Sequence, residues 1–365
     1  MIACGGTGGH VYPALAIAEA MISQQPEVSL SFIGSVDGFE RPLVNEGGVR
    51  FASYDEVRAG PLHGVSLWRK LVSAVNLALG TLQALLLMRR RKPDALLLTG
   101  GWVGLPVALA AWVSRVPSLI YLPDIEPGLT IRVLRRFARR VALTTPDSKA
   151  YFPHNETVVT GYPLRRQMLN ATREDGLRHF GLDPARKTLL VFGGSRGARA
   201  INYALLDILP QLLADGVQII HVTGTLDWED LSHRRAALGT TTGYAAFPYL
   251  HHEMGAAMAA ADLVVSRSGA SVLGEFPLFG LPAILIPYPH AWRYQKVNAD
   301  YLARHGAGIV LEEARMKDEL LPLVRRLLSD AEQLGAMRAA ARALAQPEGA
   351  ARAAEQLAQL AEERA

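Results

Sequence analysis

Cysteine is almost missing from this chain of 365 residues: Cys4 stands alone, so no intrachain disulfide can form, which suits a reducing compartment. A strong charge of either sign is missing too. The formal net charge is +4, and bulk charge of that size does not mark a partner of nucleic acid, so no nucleic acid is expected. No secretory leader precedes the first motif, because only Met1-Ile2-Ala3-Cys4 stands before the glycines begin. Either the first strand is unusually short or the natural start lies upstream.

What is present is apolar, at 50 % of residues, and long enough for two domains that each bury a core. Short apolar runs alternate with helical patterns. Strands are expected near 29–33, 95–99, 118–122, 140–144 and 157–160, then at 187–192, 218–223, 243–247, 262–266, 283–287 and 308–311. Continuous apolar strands separated by helices predict parallel sheets covered on both faces, an α/β class. The pattern restarts: the glycine turn at 3–9 is echoed at 191–198, and each leads into a helix. This predicts two doubly wound, Rossmann-like domains, 1–160 and 161–345, joined near Gly161-Tyr162-Pro163 and facing a cleft. A terminal helix of about 345–365 is expected to pack back on the first domain.

Residues 71–88 carry no charge, about the minimal length for a membrane span. Ser73, Asn76, Gly80 and Gln83 recur at spacings of three and four, which predicts an amphipathic helix rather than a spanning one. Trp68, Arg69 and Lys70 open it and Arg89 to Lys92 close it, as in a helix that dips into anionic headgroups; an ordinary core-packed helix fits the same pattern. A second arginine cluster lies at 132–140, readable as a solvated helix face or a lipid-facing one.

Three turns carry chemistry. Gly5-Gly6-Thr7-Gly8-Gly9-His10 follows a strand and opens a helix, so backbone approaches a ligand closely where the helix N-terminus favours negative charge. His10 at its head is a base, an acceptor-binding group or a capping residue. Gly193-Gly194-Ser195-Arg196-Gly197-Ala198 presents amides and the Ser195 hydroxyl to a phosphate. In 266–275, small residues lead from a strand into a helix, with the amides of Ala270, Ser271 and Val272 aimed at an anion and Glu275 placed to accept from a ribose diol. Pro277 predicts a kink or early stop in that helix. Tyr288, His290, Trp292, Gln295 and Asn298 follow a further strand end, where sugar hydroxyls are read.

These motifs, with Gly100-Gly101 and Asn298-Ala299, resemble in order and along nearly the whole chain the MurG family of peptidoglycan transferases. The resemblance implies a GT-B fold and an inverting UDP-sugar-dependent transfer that uses no metal or cofactor. It would take place at the cytoplasmic face of the membrane, with the protein held there peripherally through 68–92. The substrates implied are UDP-N-acetylglucosamine and a polyprenyl-diphosphate-linked muramyl pentapeptide, lipid I; the product is lipid II. Carried over residue by residue, Ala270, Ser271, Val272, Leu273, Gly274 and Glu275 would hold diphosphate and ribose, and Leu250 the uracil. Arg165 and Ser195 would close on the nucleotide, and Gln295 would bind the sugar. Thr7, Gly8, Gly9, Gly100 and Gly101 would hold the acceptor diphosphate, and His10 or Asp124 would be catalytic.

The chain departs from the family at Tyr121-Leu122-Pro123-Asp124, where His-Glu-Gln-Asn is usual; Tyr162 replaces an asparagine, and Tyr294-Gln295 half-matches a polar pair. Three other readings follow: transfer to another lipid such as diacylglycerol, a non-catalytic nucleotide-sugar-binding protein, and a nucleotide-sugar epimerase of the same architecture.

Overall fold

The computed structural model describes residues 1–6, 8–61, 66–194, 197–237, 242–289 and 294–364. They form two compact units: Met1–Arg165 with Gln346–Ala365, and Arg166–Ala345. The division falls five residues beyond the boundary read from the sequence, because Gly161 to Arg165 pack with the first unit. Tyr162 is buried there, edge-on to Tyr121 with ring centroids 6.4 Å apart. The helix Gly349–Glu362 lies in the same unit against the helix Gly8–Gln24. Its Ala353, Ala354, Leu357 and Leu360 share an apolar cluster with Val11, Leu15 and Phe32. Buried Arg140 ties it down further, donating to Gln356 Oε1 at 3.1 Å and Glu363 Oε1 at 3.0 Å.

The first unit carries β1 (Ile2–Cys4), β2 (Ser31–Ser35), β3 (Ser53–Val57), β4 (Leu96–Gly100), β5 (Ser118–Leu122), β6 (Arg140–Leu143) and β7 (Glu156–Val159). They pair in the parallel order β3-β2-β1-β4-β5-β6-β7. The second carries β8 (Thr188–Phe192), β9 (Gln218–Val222), β10 (Tyr244–Phe247), β11 (Leu263–Ser266), β12 (Ala283–Leu285) and β13 (Gly308–Val310). Their order is β10-β9-β8-β11-β12-β13, again parallel throughout. Both orders reverse direction once, between β1 and β4 and between β8 and β11. Ligands bind at the carboxyl ends of strands at such switch points.

The helix Leu67–Arg91 is turned opposite to a core helix. Its inward face is small except at its end: Ser73, Gly80 and Ala84 are buried, with Met88 after them, and it packs on the helix Gly104–Val113. Gly80 permits close approach to the segment just after β3, since a Cβ there would lie 1.9 Å from the Arg58 carbonyl oxygen. Half-buried Gln83 accepts from the Arg58 N–H at 2.9 Å. The leucines look outward, with Trp68 at 74 %, Leu71 at 63 %, Leu82 at 59 % and Leu86 at 65 % exposure. The polar stripe is therefore the packed face and the apolar stripe the free one. By length and hydropathy this helix alone among the described residues is apolar enough to cross a membrane.

Candidate active site

In the first unit two glycine loops meet at the switch point. β1 runs into Gly5-Gly6 and β4 into Gly100-Gly101, and the Gly5 N–H donates to the Gly100 carbonyl at 3.3 Å. Gly101 has φ 83°, and a Cβ on it would lie 2.4 Å from the Gly5 carbonyl oxygen. Only glycine closes the loops this tightly. Gly8 and Gly9 begin the helix Gly8–Gln24, and Thr7 lies outside the described residues.

His10, in the first turn of that helix, is wedged between the loops. A Cβ on Gly100 would lie 2.3 Å from its Cδ2, and one on Gly6 would lie 3.7 Å from its Nδ1. The ring is half-exposed as a whole, yet Nδ1 is buried and has no hydrogen-bond partner among the described residues. Desolvation lowers its pKa below the usual 6.5, so the imidazole is neutral at pH 7. A buried ring nitrogen with no partner among the described residues is the kind of group that a substrate satisfies.

Beneath the first loop lies Glu40, fully buried at the start of the helix Glu40–Glu46. Its carboxylate accepts from the Gly6 N–H at 3.3 Å, from the Ser35 hydroxyl at 2.5 Å and from the Ser35 N–H. Sequence reasoning passed it over, since a lone glutamate reads as surface. The available signal was the glycine at 38: a Cβ there would lie 2.2 Å from the Glu40 carboxylate. Further along the same sheet edge, β5 ends at Leu122 and the half-buried Asp124 follows, beside the end of β4.

The second unit repeats the design. β8 leads into Gly193-Gly194, and the Gly197 N–H closes the turn on the Gly194 carbonyl at 2.9 Å before the helix Arg199–Ala214. Ser195 and Arg196 lie outside the described residues. A buried network braces this helix. Asn202 donates to the Thr223 carbonyl at 2.8 Å and to Asp227 at 3.2 Å, and its Oδ1 lies 3.0 Å from His221 Nε2. His221 Nδ1 lies 2.8 Å from the Tyr244 hydroxyl. Burial pushes the His221 pKa down to about 3, so the ring is neutral. The arrangement then has Nε2–H donating to Asn202 and the Tyr244 hydroxyl donating to Nδ1.

Across the switch point, β11 ends at Ser266 and the turn 267–271 leads into the helix Val272–Phe279. The Val272 N–H donates to the Gly269 carbonyl and the Leu273 N–H to Ala270, both at 3.1 Å. Val272, expected to aim its amide at an anion, thus spends it within the turn; Ala270 and Ser271 precede those bonds. Gly274 and Glu275 lie in the first helical turn, with Glu275 half-buried. The helix stops at Gly280, three residues after Pro277, which is the expected early stop.

Gln295 is tied to the same turn. The Ser268 hydroxyl donates to its carbonyl at 2.8 Å, Asn298 Nδ2 donates to the Ser268 carbonyl at 3.2 Å, and Gln295 Oε1 accepts from the Tyr288 N–H at 2.9 Å. The carboxamide oxygen is thus occupied. His290 and Trp292 lie outside the described residues. Leu250 is buried just past β10. Arg165 belongs to the first unit, its guanidinium 4.4 Å above the Tyr12 ring. No three His, Cys, Asp or Glu side chains gather to hold a metal ion among the described residues.

Comparison with known proteins agrees with this architecture. The chain matches the profile of the glycosyltransferase family 28 N-terminal domain over residues 1–143 and that of its C-terminal domain over residues 188–357. It is 38 % identical to a UDP-N-acetylglucosamine--N-acetylmuramyl-(pentapeptide) pyrophosphoryl-undecaprenol N-acetylglucosamine transferase of Desulforudis audaxviator, covering 95 % of this chain and 94 % of the relative. A protein of the same name from Roseiflexus is 39 % identical over 95 % of this chain and 91 % of its own. Among solved structures, MurG of Acinetobacter baumannii superposes with a TM-score of 0.76 at 28 % identity, covering 98 % of this chain and 99 % of that one. A UDP-GlcNAc 2-epimerase from Neisseria meningitidis shares the fold alone, with a TM-score of 0.67 at 13 % identity over 99 % of each chain. The fold is GT-B.

Proposed function

The chain belongs to glycosyltransferase family 28, and on that premise we propose that it transfers N-acetylglucosamine from UDP-N-acetylglucosamine to the muramyl 4-hydroxyl of lipid I, giving lipid II. The observation that carries the reading is the pairing of a glycine-lined switch point in each sheet with a family match along nearly the whole chain. The acceptor oxygen attacks the anomeric carbon, a C–O bond forms, and the bond to the UDP oxygen breaks with its electron pair leaving on UDP. The acceptor proton passes to neutral His10, and Asp124 orients the attacking hydroxyl. The helix start after Ala270 favours the charge that develops on the leaving diphosphate, and no metal is required. Glu275 holds the ribose and Gln295 the sugar.

The test offers the full chain UDP-N-acetylglucosamine with a short-chain lipid I analogue or with diacylglycerol, and measures UDP release. Release with lipid I alone is expected. Release with diacylglycerol alone, or none with either, overturns the reading; UDP binding without release would leave a nucleotide-sugar-binding protein.

The outward face of the helix Leu67–Arg91 supports peripheral docking on the cytoplasmic face of an anionic membrane. Trp68 sits at one end with Arg69 and Lys70, and Arg89 to Arg91 sit at the other. Leu71, Leu82 and Leu86 touch the membrane in this reading, and none is buried in the fold. Losing about 1 kcal/mol of insertion for each, below the full burial value of a leucine, lowers vesicle binding by about 10²-fold. The triple aspartate variant is therefore expected to stay soluble in a sedimentation assay with anionic vesicles and to keep its rate on a soluble acceptor. Unchanged sedimentation would count against this docking face.

A further inference from the structure

The loop after β5 has an unusual distribution of exposure. Tyr121, Leu122, Pro123, Ile125, Glu126 and Pro127 are all buried, and Asp124 alone is half-exposed. The loop is pinned on both sides of that residue. At its entry the Thr144 hydroxyl donates to the carbonyls of Leu122 and Pro123, each at 2.9 Å, and the Tyr121 hydroxyl lies 2.6 Å from Thr144 Oγ1. At its exit Arg132, from the helix Leu129–Leu134, donates through Nε to the Pro127 carbonyl at 3.0 Å and through a terminal nitrogen to Glu126 Oε1 at 2.8 Å.

That second anchor is asymmetric. The Glu126 side chain is 4 % exposed and that of Arg132 is 49 % exposed. Burying a carboxylate is unfavourable unless it is paired, and a pair with one partner at the surface adds little stability. Its definite consequence is geometric: Arg132 grips a carbonyl and a carboxylate of one loop with one rigid fork.

We propose that Glu126 and Arg132 form a clamp that positions the Asp124 carboxylate against the acceptor sugar. This rests on the transferase reading above, with Asp124 in the acceptor site. Glu126 and Arg132 are positioning residues: they act through Asp124, at the stretch where this chain departs from its family.

The test compares the full-length protein with Arg132→Ala, Arg132→Lys, Glu126→Gln, Asp124→Asn and the double variant Asp124→Asn/Arg132→Ala. UDP release gives kcat and both KM values, and hydrogen exchange follows the amides of Asp124, Ile125, Glu126 and Gly128 without substrate. Arg132→Ala and Glu126→Gln are expected to lower kcat by about 10- to 100-fold, the scale of a misplaced catalytic group, with the KM for UDP-N-acetylglucosamine unchanged. Arg132→Lys, which keeps the charge and loses the fork, falls between. In the Asp124→Asn background Arg132→Ala adds less than about twofold, as expected of residues acting as one unit. Exchange at 124–128 quickens in Arg132→Ala. Wild-type kcat in the single variants, additive losses in the double variant, or unchanged exchange would each overturn the clamp. Failure of the unmodified protein to release UDP overturns the transferase reading instead, and the exchange measurement still decides whether the clamp holds the loop. Should Glu126→Gln fail to fold, the more exposed Arg132 variants carry the test.

Discussion

Alanine at Glu275 is expected to raise the KM for UDP-N-acetylglucosamine by about 10- to 100-fold while leaving the acceptor KM unchanged. Hydrogen bonds to a carboxylate contribute about 1.5–3 kcal/mol each, and every 1.4 kcal/mol is a factor of ten. The residue stands in the first turn of the helix Val272–Phe279, beside the turn expected to take the diphosphate. That turn is rigid: Ser268 is bonded to the Gln295 carbonyl and its own carbonyl is bonded by Asn298, which is buried. A rigid seat keeps the nucleotide in place when one contact is lost, so the loss appears as affinity rather than as misplacement. Ribose chemistry provides a sharper measurement than KM alone. The unmodified protein should bind UDP more tightly than 2′,3′-dideoxy-UDP in a calorimetric titration, and Glu275→Ala should bind the two alike. A variant that still prefers ribose would show that another group accepts from the diol.

The strands of both sheets were legible because buried parallel strands are written as continuous apolar runs, and β5 begins and ends where the run at 118–122 does. β3 was not legible: Ser53, Asp55 and Glu56 make it polar, and as an edge strand it buries only Val57. The helix Leu67–Arg91 was legible as amphipathic, but its direction was not. Periodicity separates two faces and does not say which is covered; the close approach of Gly80 to Arg58 decides that. In the site, glycine turns were legible because few other residues close them. Glu40 and Asn202 were not, since a buried polar residue in one sequence looks like any surface one until its partners are placed around it. The Arg165 role came from resemblance, and the aim of the Val272 amide from the strand-to-helix turn. In the fold the Arg165 guanidinium lies over the Tyr12 ring, and the Val272 N–H is bonded to the Gly269 carbonyl.

Replacing His10 by alanine is expected to lower kcat by about 10²–10⁴-fold, the usual contribution of a general base, with UDP affinity unchanged. The pH profile makes the prediction specific. Burial places the His10 pKa below 6.5, and the neutral ring is the active form. The rate of the unmodified protein should therefore hold through pH 7 and fall only as pH drops through that lowered value; the alanine variant should lose this acid limb along with its rate. Stability must be followed in parallel, because His221 has a folded pKa of about 3 and an unfolded one near the ordinary value. Between the two the unfolded chain binds more protons, so stability falls as pH falls through that window. Circular dichroism at each pH separates unfolding from titration of the site. His10→Gln, closer in volume, separates loss of the base from collapse of the wedge between Gly6 and Gly100. Near-normal turnover in His10→Ala together with none in Asp124→Ala would move the proton to Asp124. The clamp at Glu126 and Arg132 would then hold the base itself, and its variants should shift the acid limb as well as kcat.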